Sequence, residues 1–378
     1  MAYYTRYEKL QKCYNDGTPF EPAEFKKGTN LGVAEYSSIE ECQNSSTPPT
    51  PPTPPTPGNY TCCITWEAHK DLNFNFNNND ITTKENPWCT KEKVSKLDFH
   101  KSNSKIESLD ITIDKTNNIT SMYKSFGEMG YLRSVKLNIP KAASLSVISN
   151  LFQNSKNLTS INFINFDTSN VTMAIQAFDA CSSLTSLDVS NWNTSNLKRA
   201  FQIFAGCRSL TSIDVSNWNT SNLQDASEMF HSCNSLTSLD VSNWDVSNVT
   251  TLEYTFSFCS SLRTLDLSNW KINKVTDASF AFVGSSLLTS LDLSNWNTSS
   301  FREVNSMFSG CKSLVSLNLK NFDMSNVTKA TWMFHNCSSL NHITCKQAFK
   351  DWCITNQDEI ELPTAMREGG TGTWTIVN

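Results

Sequence analysis

Five aspartates recur at intervals of 26 residues: Asp188, Asp214, Asp240, Asp266 and Asp292. Each has a hydroxyl residue two places before and two places after it. The triplets are Ser186-Asp188-Ser190, Ser212-Asp214-Ser216, Ser238-Asp240-Ser242, Thr264-Asp266-Ser268 and Ser290-Asp292-Ser294. In Leu184-Thr-Ser-Leu187-Asp-Val189-Ser, apolar and polar residues alternate with the period of a half-buried strand, so Leu187 and Val189 face inward and the triplet faces out. Stacked copies would bring the carboxylates about 4.8 Å apart. Such a column repels itself, shares cations or leans on neighbouring hydroxyls. The separation approaches the roughly 5 to 5.5 Å of a retaining glycosidase pair. Catalysis, however, needs two carboxylates in different environments within a cleft, and these five share one environment on an open sheet. The column is therefore a candidate ligand face, not a catalytic one. An identical donor and acceptor set at regular intervals suits a periodic partner such as a glycan polymer, whose weak contacts add by multivalency. The alternative is a solvated polar face that keeps the array soluble.

Thirteen cysteines invite a metal or redox role. There is no C-x-x-C, and Cys62, Cys63, Cys89, Cys345 and Cys353 lack finger-like spacing while the five histidines are scattered, so no metal is expected. Cys181, Cys207, Cys233, Cys259, Cys311 and Cys337 instead keep the 26-residue register, with Ser285 in the one gap. They read as a column of small buried thiols. Cys13 with Cys42, and Cys345 with Cys353, are pairs that an oxidising space would permit.

The same period runs through the residues that must hold these columns. Trp192, Trp218, Trp244, Trp270 and Trp296 stand 26 apart, with Phe166 and Phe322 at the ends of the column. Leucines from Leu158 to Leu340 and phenylalanines from Phe152 to Phe334 obey the same spacing, and weaker copies reach Phe126, Leu132 and Ile106. About nine repeats fill the stretch. Each has a strand half, then Asn191-Trp192 and a turn-rich Asn-Thr-Ser-Asn that offers Thr194 or Ser195 as a helix N-cap. Leu197, Ala200, Ile203, Phe204 and Cys207 follow at helical spacing and predict a short helix or helical turn. One such unit cannot bury its own apolar face, so the copies must stack into an α/β solenoid with a parallel sheet on one side.

On this frame some positions vary. Lys198-Arg199, Gln224-Asp225, Glu253-Tyr254, Arg302-Glu303 and Lys329 are read as occupying matching places on the helical half with different chemistry. Variable positions on a fixed frame are where a specific partner is recognised. These are the candidate recognition residues.

The strand half, L-x-x-L-x-V-x-x-W, resembles a leucine-rich repeat with Trp where Asn is usual. The whole unit is similar to the 26-residue bacterial surface repeats of the BspA-like type, which carry LTSLDVSNWxTSNVTxMxxMFxxC. The resemblance covers about 106–340 and implies a right-handed leucine-rich-repeat-like array serving binding or adhesion, not catalysis. It names no ligand.

Outside the array, 1–46 read as a head module and 47–58, TPPTPPTPPTPG, as a Thr/Pro-rich polyproline linker. Residues 59–105 read as an N-terminal cap, 106–344 as the repeats, and 345–378 as a C-terminal cap with a short helix in AFKDWCI and a closing strand in GGTGTWTIV. The head module resembles N-terminal segments on proteins of Bacteroidales phages, which implies attachment to other virion proteins. A net charge of -5 disfavours nucleic acid as a partner. No apolar run approaches a membrane span, and MAYYTRYEKLQKC lacks the apolar core of a secretory signal. No nucleophile with a base partner or phosphate loop is present, so no enzyme and no cofactor is expected. The expected function is display of the array, on a virion or a bacterial surface, to a bacterial surface protein or glycan.

Overall fold

The computed structural model describes residues 62–68, 72–100, 105–113, 119–139 and 145–377. The head module, the Pro-rich linker and the Cys13–Cys42 pairing lie outside these residues. The chain winds into about nine turns of a parallel-strand solenoid. At its start, β1 (Cys62–Ala68) lies antiparallel between β4 (Trp88–Thr90) and β6 (Ile106–Ile113). From β6 the sheet continues in parallel through β7 (Ser134–Asn138) and β8 (Ser160–Ile164). A second small sheet holds β2 (Leu72–Phe76), β3 (Asn79–Thr83) and β5 (Leu97–Asp98). A disulfide joins Cys63 to Cys89, whereas Cys345 and Cys353 stay free and buried.

Beyond β8 the strands shorten. β9 (Ser186–Leu187) pairs β10 (Ser212–Ile213), and β11 (Ser290–Asp292), β12 (Ser316–Asn318), β13 (His342–Cys345) and β14 (Thr373–Ile376) form a parallel sheet. Every pairing between repeats is offset by 26, as in Ser186 with Ser212 and Leu291 with Leu317. The alternation holds along the strand half: Leu187 and Val189 are buried, Asp188 is exposed.

The other half of each repeat is not a helix. The only α-helix among the described residues is α1 (Gln347–Thr355). A helix propagates when each N–H reaches the carbonyl four residues back. Here the N–H groups of Ala174, Gln176, Phe178 and Ala180 donate sideways to the carbonyls of Arg199, Phe201, Ile203 and Ala205 on the next turn. Those of Ala177, Asp179 and Cys181 close i to i−3 turns. Two left-handed residues per repeat, four apart, enforce the break: Gln176 and Ala180, Gln202 and Gly206, Glu228 and Ser232. The spacing of three and four that suggests a helix is equally the spacing of this chain of turns. Thr194 consequently caps nothing; its hydroxyl donates to the Asn219 carbonyl on the next turn at 3.1 Å.

Three columns fill the interior. Phenylalanines from Phe99 to Phe334 stack with ring centroids 5.0 to 6.0 Å apart. The tryptophans stack at 6.1 to 6.4 Å and end on Phe322. Trp218, Trp244 and Trp270 donate their indole N–H to the carbonyls of Val189, Val215 and Val241, each 29 residues back. Trp192 and Trp296 find no such acceptor. Each thiol of the cysteine column donates to a phenylalanine carbonyl 29 residues back, as Cys233 does to Phe204 at 3.2 Å. Ser155 and Ser285 take the same place and donate at 2.7 Å. This explains why serine can stand in the register, since hydroxyl and thiol satisfy the same carbonyl.

Candidate ligand-binding surface

The solenoid offers two decorated faces, one beyond the strands and one along the turns. On the strand face Asp188, Asp214, Asp240, Asp266 and Asp292 are exposed, as are Ser186, Ser212, Ser238, Thr264 and Ser290; Ser190, Ser216, Ser242, Ser268 and Ser294 are half-buried. Each aspartate Oδ1 accepts the N–H of the serine two residues on, at 2.9 to 3.1 Å. In the first four it also accepts that serine's hydroxyl at 2.7 Å. The carboxylates thus lean on their own neighbouring hydroxyls. Those bonds, the hydroxyl's first, hold the Asp214 and Asp266 carboxyls below the usual range. Among the described residues no three His, Cys, Asp or Glu side chains converge to hold a metal ion.

The turn face carries the variable residues, and its register differs from the sequence expectation. Parallel bridges link Met173, Arg199 and Asp225, and separately Thr251, Asp277, Glu303 and Lys329, which therefore share one column. Lys198, Gln224 and Arg302 share the column beside it. Glu253 and Tyr254 do not match these places: 26-residue steps put Tyr254 in line with Gln202 and Glu228, and Glu253 in line with Ser227. Lys329 Nζ meets Glu303 Oε1 at 2.8 Å, an exposed pair of small energetic consequence.

The column of Tyr254 changes character along its length. At its start Asn150 Nδ2 donates to Gln176 Oε1 at 3.0 Å, Gln176 Nε2 to Gln202 Oε1 at 2.5 Å, and Gln202 Nε2 to Glu228 Oε2 at 2.6 Å. Rings then replace amides. Tyr254 and Phe280 stack at 4.4 Å and 4°. His231 meets both Tyr254 and Phe258 edge-on at 5.9 Å. Phe258 is 43% exposed and Trp332, in the same column as Tyr254, 55%. All four aromatic residues sit at positive φ, between 53° and 61°. Bulky side chains avoid that conformation at a cost of about 1–2 kcal/mol each. Gly284 accommodates one of them, since a Cβ there would lie 2.5 Å from the Phe258 ring. Around the patch, Glu253 is pushed up by burial and then by Asp277, Glu228 and Glu303, so carboxylates gather beside the rings.

Phe258, Phe280 and Trp332 were not singled out in the sequence. The available signal was that each is an aromatic residue two places off the regular phenylalanine column, left over once the frame is subtracted. A further feature lies at the strand face, where an open depression of about 510 Å³ forms beside Phe163, Phe166 and Trp192.

The fold and its stacked columns define a leucine-rich-repeat-like solenoid. The chain belongs to the family described as "Mycoplasma protein of unknown function, DUF285", whose model matches residues 120–240, 146–264 and 251–361, together spanning 242 of the 378 residues. Among solved structures it is similar to a leucine-rich repeat protein of T. pallidum, with 21% identity, 62% of this chain and 83% of that chain covered, and a TM-score of 0.34. It is also similar to a leucine-rich cell surface protein from Faecalibacterium prausnitzii, at 17% identity, 76% and 96% coverage and a TM-score of 0.25. An internalin from Listeria monocytogenes matches at 16% identity, 61% and 72% coverage and a TM-score of 0.24. No curated protein matches the chain. No helix among the described residues is long and apolar enough to cross a membrane.

Proposed function

We propose that this chain is a non-enzymatic binding or adhesion protein whose repeated frame displays the turn face to a protein on a bacterial or mucosal surface. The observation that carries this is a run of aromatic residues along the turn face, Phe258 and Trp332 exposed and Tyr254 and Phe280 half-buried, held at positive φ where glycine would be relaxed. Exposed rings and variable charges on a rigid scaffold are the makings of a protein interface, whose energy concentrates in a few aromatic anchors. The likeness of the repeat to BspA-like surface repeats supports the same role. The carrier is proposed to be a phage or prophage particle, joined through residues 1–46 on the strength of their resemblance to phage segments; the alternative carrier is the bacterial cell surface. The strand face, with its aspartate column, is the proposed contact for a glycan polymer.

The test is binding of the labelled full chain to intact gut bacteria and immobilised mucin. Phe258→Ser with Trp332→Ser should weaken binding at least about tenfold at unchanged circular dichroism. Binding unaffected by the pair would overturn the turn-face assignment. Mass spectrometry of purified particles against cell envelopes distinguishes the two carriers.

A further inference from the structure

On the strand face the ladder is broken between β8 and β9, as it is again between β10 and β11. β8 is five residues long and stays paired with β7 as far as Ile164, whereas β9 keeps only two paired residues. At the matching strand position the later turns have Val189, Val215 and Val241, but β8 has Phe163; in the tryptophan column it has Phe166. Asn165 is left-handed at φ 53°, unlike the asparagines that occupy its place in later turns. β8 and β9 are thus not paired with each other, whereas β9 pairs β10 in register. The Trp192 indole N–H finds no acceptor here, as that of Trp296 finds none four turns on.

The gap is the 510 Å³ depression, within the roughly 300 to 1,000 Å³ of small-molecule sites. Phe163, Phe166 and Trp192 line it with rings 4.7 to 5.9 Å apart. Asp167, Asp188 and Asn191 line it with polar groups. Asp167 and Asp188 each commit Oδ1 to a neighbouring serine N–H. Their second oxygens have no protein partner among the described residues. No cation and no aliphatic side chain lines the depression. Its chemistry suits a group that is flat and apolar on one face and edged with hydroxyls that donate to carboxylates and accept from an amide. Two carboxylates turn away anions.

We infer that the depression between β8 and β9 is a binding site for a neutral saccharide ring, which packs on Phe163 and Phe166 and hydrogen-bonds to Asp167, Asp188 and Asn191. The site is distinct from the turn face and does not depend on that face binding a protein. It also differs from the repeated aspartate column in its rings, since the next three turns have Val in place of Phe163 and Trp in place of Phe166.

The repeats supply the control. Asp240 makes the same two serine bonds as Asp188, at the same 3.1 and 2.7 Å, two turns away, and does not line the depression. Saturation-transfer NMR of the full chain with methyl β-glucoside, methyl β-galactoside, methyl α-mannoside and N-acetylglucosamine should show transfer to at least one sugar. Asp188→Ala and Asn191→Ala should each weaken that sugar's binding about tenfold, the loss of one charge-assisted or well-placed hydrogen bond. Asp240→Ala and Asn243→Ala should leave it within about twofold. Transfer to none of the four sugars overturns the inference. So does equal weakening by Asp240→Ala, which would place the sugar along the whole column, and so does a preference for a trimethylammonium probe over every sugar. Sugar transfer to the Phe258→Ser, Trp332→Ser double variant, measured in parallel, tests the depression without the turn face, so either proposal can fail without the other.

Discussion

Trp270 and Trp296 offer a matched pair in which one hydrogen bond differs and burial does not. Both are fully buried in the same column, one turn apart, and their rings stack at 6.4 Å and 6°. Replacing either by phenylalanine, the residue already present at 166 and 322, removes the same apolar surface and leaves the same kind of void, so those costs cancel in the comparison. What remains is polar. Trp270 Nε1 donates to the Val241 carbonyl at 2.9 Å, and that carbonyl also accepts the N–H of Trp244, so it is not orphaned when the indole goes. Trp270→Phe therefore loses about 1 kcal/mol of net hydrogen bonding. Trp296 Nε1 is buried without an acceptor. Trp296→Phe removes an unpaired donor and recovers about 1 kcal/mol or more of desolvation cost. Trp270→Phe should accordingly destabilise the chain about 2 kcal/mol more than Trp296→Phe. Urea unfolding of the two variants, compared at equal slope so that the denatured states match, measures the difference. Equal midpoints, or a lower midpoint for Trp296→Phe, would show that the indole bonds contribute nothing to the stack.

Burial raises the Cys259 and Cys337 thiols to about 12 and Cys345 to about 11. Groups whose folded pKa is raised stabilise fully below their unfolded value, near 9, and lose that contribution as pH climbs toward 12. The urea midpoint should hold from pH 7 to about 8.5 and then fall, and Cys259→Ser should flatten the fall by up to about 1.4 kcal/mol per pH unit. Cys233→Ser, which keeps a donor to the Phe204 carbonyl as Ser285 does for Phe256, should change stability by less than about 1.5 kcal/mol in denaturant unfolding. Phe258→Gly should raise stability by about 1 kcal/mol through relief at φ 54°, since the ring is already 43% exposed. Gly284→Ala should cost more than about 1 kcal/mol from its φ of 71° and its approach to that ring, and adding Phe258→Gly should restore only the second part. Thermal denaturation of the two single variants and the double variant separates the contributions.

The stacked frame was legible because its signal is repeated. Trp192 to Trp296 and Cys181 to Cys337 fix the register to the residue, and the strand alternation at Leu187 and Val189 gives the inward face. The turn half reads as a short helix or helical turn because Leu197, Ala200, Ile203 and Phe204 have the same spacing on a helix and on a run of turns. The distinction lies in backbone bonds to the next repeat, which no local window contains. Glu253 and Tyr254 lie three places past the column of Lys198 and Arg199, whose counterparts in that turn are Thr250 and Thr251. The aromatic patch and the depression are departures from the repeat, and a search for what recurs passes over them. The Cys63–Cys89 disulfide depends on two antiparallel strands whose pairing is set by tertiary context.

The columns run at fixed offsets: 26 for the strand pairs, 27 for the asparagine bonds such as Asn222 to the Ser195 carbonyl, 29 for the indole and thiol donors. A single inserted residue between Trp218 and Trp244 would throw every one of these that spans it out of step at once. A whole inserted repeat would throw out none. The molecule can thus grow or shrink only in units of 26 residues, about 4.8 Å of reach at a time, and its gene tolerates unequal recombination within the array far better than a small insertion or deletion. Length is a trait that such a protein can vary without relearning how to fold.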